Sequence, residues 1–247
     1  MRSIYSARNG MIAQQRRVDT IANNLANINN DGFKRTRMDF EDCLYQTMSR
    51  VIQPQDDLDM QMGHGTIVGA TTKIMDAGNL LMTESTTDLA IEGDGFYAIE
   101  STTGEIVYTR NGSFSVDGAG FLVCSDGSYV LDENYDRISV GTSRFTCGMS
   151  GEITVDGRQI TRIGIFNCIN PQGLEAVGTD RFAVSANSGD MVAENNFKIR
   201  QGYLEGSNVK MEEEVTLLIR AQRALSLASK ALTTADEMDA QANQLRR

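Results

Sequence analysis

Residues 208–247 read NVKMEEEVTLLIRAQRALSLASKALTTADEMDAQANQLRR, and neither proline nor glycine occurs after Gly206. Every seventh residue from Met211 is apolar: Met211, Leu218, Leu225 and Leu232. A second row of small residues, Ala221, Ala228, Ala235 and Ala242, follows three positions behind. This pattern predicts one long helix with a single apolar seam, at the period of helices wound side by side. The alanine row lets a neighbouring backbone come close. Glu212, Glu213 and Glu214 suit the positive end of the helix dipole, and Arg246 and Arg247 suit the other end. Ser207 or Asn208 is the expected N-cap. A helix of this kind needs a surface to lie against.

The other end of the chain offers one. Residues 2–29 carry Ile4, Met11, Val18 and Leu25 at the same spacing, with Ala7, Gln14, Ile21 and Ile28 set three later. Gln14 is the one polar break in this seam. Asn23, Asn24 and Asn27, with Asp31-Gly32 behind them, favour caps and turns and should end the helix. Each terminal helix alone would be marginal in water. The seams fit pairing within one molecule and pairing between copies equally well.

Between the helices the pattern changes. Residues 33–48 keep spaced apolar side chains among charges, as a helix continuation or an extended arm would. Residues 50–65 hold Pro54, Asp56, Asp57, Asp59, Gly63 and Gly65 and read as a linker or protruding loop. From Thr66 onward short runs of alternating or continuous apolar residues lie between turn signals. They predict strands at 66–74, 89–91, 96–100, 106–110, 113–116, 121–124, 129–131, 138–140, 153–155, 159–167 and 181–184. Asn111-Gly112, Asp117-Gly118, Asp126-Gly127 and Asp156-Gly157 are dipeptides that close hairpins. The expected fold is therefore α+β: a mainly β domain inserted between N- and C-terminal helices that form a coiled-coil-type layer. The expected divisions are a discontinuous helical assembly domain (1–34 plus 208–247), a connecting arm (35–75), and a β-rich domain with its return linker (76–207).

Composition narrows the function. Residues 51–200 hold nine basic and twenty-one acidic side chains, so the middle of the chain is acidic and unsuited to nucleic acid. Cys43, Cys124, Cys147 and Cys168 are far apart, and His64 is the only histidine, so zinc ligation is not indicated and the thiols are expected to be reduced. Gly63-His64-Gly65 followed by Gly69 lacks the spacing and the Lys-Ser/Thr of a phosphate loop. The Asp-Gly pairs lack the alternating oxygen ligands and distal glutamate of a calcium loop. No catalytic pair, cofactor site or metal site stands out, and an enzyme is not expected. The apolar residues near the start are interrupted by Arg8, Arg16 and Arg17, unlike a secretory signal, and no apolar run approaches a membrane span.

Several stretches together resemble the flagellar axial proteins of the basal-body rod and hook. Ile21-Ala22-Asn23-Asn24-Leu25-Ala26-Asn27, then Asp31-Gly32-Phe33-Lys34-Arg35, looks like the family's N-terminal signature. The run from Gly202 to Val209 (GYLEGSNV), continued by Glu213-Glu214-Val215 and by residues 219–224 (IRAQRA), is similar to its C-terminal one. Residues 88–97 (DLAIEGDGFY) and 108–114 (YTRNGSF) resemble its β-domain signatures, and residues 40–48 (FEDCLYQTM) resemble the arm of its distal-rod branch. The segment from Gln53 to Gly65 departs from that branch's pattern.

The resemblance implies a structural subunit of the rod, self-assembling into a helical tube that transmits torque toward the hook and walls the export channel. It implies a homo-oligomer in contact with other rod proteins, the hook protein, the surrounding rings and the flagellar export apparatus, delivered without a cleaved signal peptide, with no cofactor and no membrane insertion. The assembly residues it points to, read with the seams, are Ile4, Met11, Val18, Ile21, Asn24, Leu25, Asn27, Ile28, Gly32 and Phe33 on one side and Leu218, Ala221, Leu225, Ala228 and Leu232 on the other. A proximal rod protein of the same family is the nearest alternative. From another class, a cell-wall-binding β module or hydrolase would need a concave site with converging polar groups.

Overall fold

A computed structural model of the chain describes residues 2–42, 46–48, 60–62, 66–141 and 144–245. Cys43, Pro54, Asp56, Asp57, Asp59, His64 and the Gly63–Gly65 loop lie outside the described residues, as does the side chain of Ile4. The order is helix, mostly β region, long helix, an α+β arrangement. By its contacts the chain forms two units. One comprises residues 1–25, 36–72 and 210–247; the other comprises 26–35 and 73–209.

The first unit holds α1 (Arg2–Ala26) and α2 (Met211–Leu245). It also holds the arm: β1 (Thr36–Asp42), β2 (Gln46–Met48), β3 (Met60–Met62) and most of β4 (Thr66–Lys73). The arm is extended rather than helical, with β1 paired to β4 and β2 antiparallel to β3. The helix start differs from the N-cap expectation. Met211 is the first helical residue, so Ser207 and Asn208 lie ahead of the cap. The Glu214 N–H is the one that reaches back, to the Lys210 carbonyl at 3.1 Å. Asn208 has other work, described below.

The second unit is β-rich. In chain order its strands are β5 (Leu80–Met82), β6 (Leu89–Glu92), β7 (Phe96–Glu100), β8 (Ile106–Thr109), β9 (Phe114–Val116), β10 (Leu122–Cys124) and β11 (Tyr129–Val130). Then follow β12 (Thr146–Cys147), β13 (Glu152–Val155), β14 (Arg158–Arg162), β15 (Ile165–Asn167), β16 (Glu175–Ala176), β17 (Arg181–Ala183), β18 (Val192–Ala193), β19 (Lys198–Gln201) and β20 (Tyr203–Glu205). The main sheet runs β16-β17-β8-β7-β11-β10-β9, with β15 also on β7 and β18 on β15. The position of β7 explains why its sequence is apolar from Phe96 to Ile99. Tyr97 and Ile99 face one core with Leu89, Phe114 and Leu122, while Phe96 and Ala98 face a second core with Phe166 and Phe182. Val107 and Tyr108 on β8 divide the same way. A strand buried on both faces loses the polar half of its alternation.

The turn dipeptides divide too. Asp156-Gly157 closes the β13–β14 hairpin with both residues at positive φ, 51° and 76°, as the tight hairpin turn requires. Asp126-Gly127 joins β10 to β11 with Gly127 at φ 86°. Between β9 and β10 the positive φ belongs to Gly120, not Gly118. Asn111-Gly112 closes no hairpin. There a Cβ on Gly112 would meet the Leu89 carbonyl oxygen at 1.6 Å, so the glycine is required by a close backbone crossing. The predicted strand over 159–167 breaks into β14 and β15 at Gly164, whose backbone crosses that of Asp132. Within the predicted strand at 138–140 Ser139 alone forms a bridge, to Phe121.

Candidate assembly interface

Along α2, Glu214 and Ala221 are buried, and Leu218, Leu225, Ala228, Leu232 and Ala235 are half-buried. The spacing alternates between four and three residues, which keeps these side chains on one stripe of the helix. Met211, the first residue of the sequence pattern, and Ala242 are exposed. On α1 the most buried side chains are Ala13, Ile21 and Asn24, while Met11, Val18 and Leu25 are half-buried. Gln14, the polar break in the α1 seam, has its Oε1 buried with no hydrogen-bond partner among the described residues.

Asn24 is the residue that ties these elements together. Its Oδ1 accepts from the Thr36 N–H at 3.0 Å. Its Nδ2 donates to the Thr36 carbonyl at 2.9 Å and to Glu214 Oε2 at 3.3 Å. One carboxamide thus acts as a strand partner for the start of β1 and as a link between α1 and the first turn of α2. Only a side chain with both a donor and an acceptor can do this. Arg17 adds a second contact from α1 to the arm, its guanidinium 5.7 Å from the Phe40 ring centroid.

The remaining predicted residues sit in the β unit. Asn27 and Asn30 form the turn after α1, the Asn30 Nδ2 donating to Asn27 Oδ1 at 2.7 Å. Ile28 is half-buried and Phe33 is buried. Gly32 has φ 69°, and a Cβ there would lie 2.5 Å from the Asn111 nitrogen. Its N–H donates to the Glu205 carbonyl at 2.6 Å. These four residues form a junction, not a helical seam.

That junction contains a charged group the sequence reading passed over. Lys34 Nζ donates to Glu205 Oε1 at 2.6 Å and to the Asp76 carbonyl at 2.8 Å. Arg110 donates to Glu205 Oε2 at 3.1 Å and to the Gly93 carbonyl at 2.9 Å. The Gly78 N–H also reaches Glu205 Oε1, at 2.8 Å. The three charged side chains are 1–3% exposed. Burial pushes the Lys34 ammonium below its ordinary value, and the neighbouring Glu205 carboxylate works against that shift. Beside this group Asn208 Oδ1 accepts from the Arg35 N–H at 2.6 Å, while its Nδ2 donates to the Ile74 and Asp76 carbonyls at 2.8 and 3.1 Å. Lys34, Arg110, Glu205 and Asn208 all lie inside stretches that carry the family resemblance. Their presence there was the available signal; their convergence was not.

Elsewhere in the β unit a cleft of about 600 Å³ is bordered by Ser85, Thr87, Arg144, Thr154 and Asp156. Several carboxylates are occupied by ion pairs: Glu100 with Arg137, Glu92 with Arg200, and Asp126 with Arg181. Among the described residues no cluster of three His, Cys, Asp or Glu could hold a metal ion. Cys124, Cys147 and Cys168 are free, and burial pushes the thiols of Cys124 and Cys147 up to about 12, well away from the reactive range. No described helix is long and apolar enough to cross a membrane.

Three family models match the chain. Residues 4–34 match "Flagella basal body rod protein", 90–167 match "Flagellar hook protein FlgE/F/G D1 domain", and 200–245 match "Flagellar basal body rod FlgEFG protein C-terminal". The flagellar basal-body rod protein FlgG of Borreliella burgdorferi is 42% identical, covering 100% of this chain and 99% of its own. FlgG of Caulobacter vibrioides is 37% identical over the whole of both chains. FlgG of Bacillus subtilis is 35% identical over 96% of each.

Proposed function

The chain belongs to the flagellar basal-body rod family, in its FlgG-like distal-rod branch, and from that premise we propose that its two terminal helices carry assembly of the rod. The protein is a structural subunit of the flagellar basal body, not an enzyme, and assembles with other rod and hook proteins. Self-assembly into a helical tube would use the seam of α2 against α1, within a subunit or between subunits, as a coiled-coil-type inner layer. Such a tube would transmit torque and enclose the export channel, and its subunits would reach the growing end through the flagellar export apparatus. Contacts that do not close on themselves would let the tube grow.

The observation that carries this reading is the α2 stripe. From Glu214 to Ala235 its heptad positions are buried or half-buried, and Glu214 at its start is tied to Asn24 of α1. Leu225 lies in the middle of the stripe, far from the β unit in sequence. Leu225→Asp places a charge in the seam, where an unpaired charge costs several kcal/mol. The expected result is loss of motility in cells whose own copy has been deleted, with the β unit still folded by protease resistance. Swimming at the wild-type rate would refute the reading.

A further inference from the structure

Lys34 is a buried nucleophile that the assembly reading does not use, and the charges around it do not balance. Lys34 and Arg110 share one buried carboxylate, Glu205, and all three side chains are 1–3% exposed. Asp76, the other carboxylate that acts on Lys34, belongs to an exposed residue. A surplus buried cation is costly. Burial, and to a smaller degree the Arg110 charge, push the Lys34 ammonium below its ordinary value against the pull of Glu205. Both effects favour the neutral amine, which is the nucleophilic form of lysine.

A carbonyl electrophile lies beside that amine. Lys34 Nζ and Asn208 Nδ2 donate to the same oxygen, the Asp76 carbonyl, at 2.8 and 3.1 Å. The Asn208 carboxamide is polarised from its other side, where Oδ1 accepts from the Arg35 N–H at 2.6 Å. Glu205 Oε1 is 2.6 Å from Nζ and so stands where a base is needed. The backbones that carry these groups cross closely: a Cβ on Gly78 would lie 1.9 Å from the Gly206 carbonyl oxygen. Amine, base and polarised carbonyl are thus held together at one crossing, and such proximity turns a slow exchange between amine and amide into an intramolecular reaction.

We propose that Lys34 and Asn208 join in an isopeptide bond, with Glu205 as the proton carrier. Nζ attacks Cγ of Asn208, and the Arg35 N–H steadies the oxygen as it takes up negative charge. Two protons of the lysine nitrogen pass in turn through Glu205 to Nδ2. The Cγ–Nδ2 bond breaks, ammonium leaves past the half-buried Asn208, and Glu205 returns to its ionised form. Nothing is oxidised or reduced, and no co-reactant is needed. The bond removes one buried positive charge and leaves Arg110 and Glu205 as a balanced pair. It also joins residue 34 directly to residue 208, so a pull on the two terminal helices reaches the bond before the strands between them. The proposal concerns the β unit alone and does not depend on the assembly role above.

The test is mass spectrometry of the purified, folded full chain. The expected intact mass is that of the sequence less one ammonia. Trypsin should leave Lys34 uncut and release residues 18–35 joined to residues 201–210. A chain of full mass that yields these stretches as separate peptides overturns the proposal, and this outcome needs no variant. Asn111-Gly112 offers another route to the same loss, through a cyclic imide. A deficit that persists in Lys34→Arg, or that maps to the peptide holding Asn111, therefore overturns the proposal as well. Lys34→Arg and Asn208→Ala should each restore the full mass. Glu205→Gln keeps the amine and the carboxamide without the base, and should slow linkage in the freshly folded chain by roughly 100-fold. Linkage at the wild-type rate in that variant overturns the role of Glu205.

Discussion

Glu205 receives a lysine, an arginine and a backbone N–H in a site closed to water. Such a group adds little net stability over a well-packed apolar one, but breaking it is costly, because the remaining charges stay buried without compensation. Glu205→Ala leaves Lys34 and Arg110 facing each other and should lower the unfolding free energy of the chain by about 3–5 kcal/mol, measured by urea denaturation of the soluble protein. Lys34→Met, which removes one cation and leaves the Arg110–Glu205 pair, should cost less. A second residue sets a pH dependence. Burial, and then the nearby Asp88 carboxylate, hold the Asp31 carboxyl above its ordinary value of 3.8. The folded state therefore keeps this proton more tightly than the unfolded chain, and the fold loses stability as pH rises from 3.8 through the raised value. Asp31→Asn should raise the unfolding midpoint at pH above the raised value and leave it unimproved well below 3.8, where the carboxyl is protonated in both states. Superimposable pH profiles for the two proteins would refute this. None of it could be read from sequence. Lys34 and Glu205 are 171 residues apart, and side-chain chemistry alone does not say which distant charges will share a cavity.

Elements were more legible, because periodicity is a local property. The α2 seam, the run of short strands and the Asp156-Gly157 hairpin all follow from residues close together in the chain. The failures have local causes as well. Strands of two residues, such as β12, β16 and β18, are too short for any alternation to register. Asn111-Gly112 has the composition of a hairpin turn, yet the glycine serves a crossing with Leu89, twenty-three residues away, which a dipeptide rule cannot detect. Asn208 has the composition of an N-cap, but its side chain is held by Arg35, Ile74 and Asp76, so the helix starts later. Residues 33–48 were ambiguous between helix and extended arm until β1 paired with β4. Along α2, the burial of Leu218, Ala221, Leu225, Ala228 and Leu232 follows the heptads. Asn24 follows from no such pattern: its function depends on Thr36 and Glu214 arriving on two sides of one carboxamide.

At the scale of the whole chain, the β unit closes on itself without the helices. The Ile74 N–H donates to the Arg35 carbonyl at 2.8 Å, so the excursion through residues 36–72 leaves the unit and returns to it at neighbouring points. Gly32, Lys34 and Arg35 on one side and Glu205 and Asn208 on the other fasten the two ends of the unit to each other. Residues 26–35 are therefore part of its closure, although by sequence they look like the tail of the first helix. A chain made of residues 26–35 and 73–209, with a short glycine-serine bridge in place of the arm, should remain a monomer and unfold in one cooperative transition. A loop of that length adds little closure entropy when its ends are already adjacent. A shorter version beginning at Lys73 and ending at Glu205 keeps every strand from β5 to β20 but lacks Lys34 and Asn208. It should be several kcal/mol less stable, since Glu205 and Arg110 lose their cover of protein. Urea denaturation of the two chains decides the matter. Equal midpoints would mean that the junction contributes nothing to the β unit, and that the signatures at 31–35 and 202–209 serve the terminal helices alone.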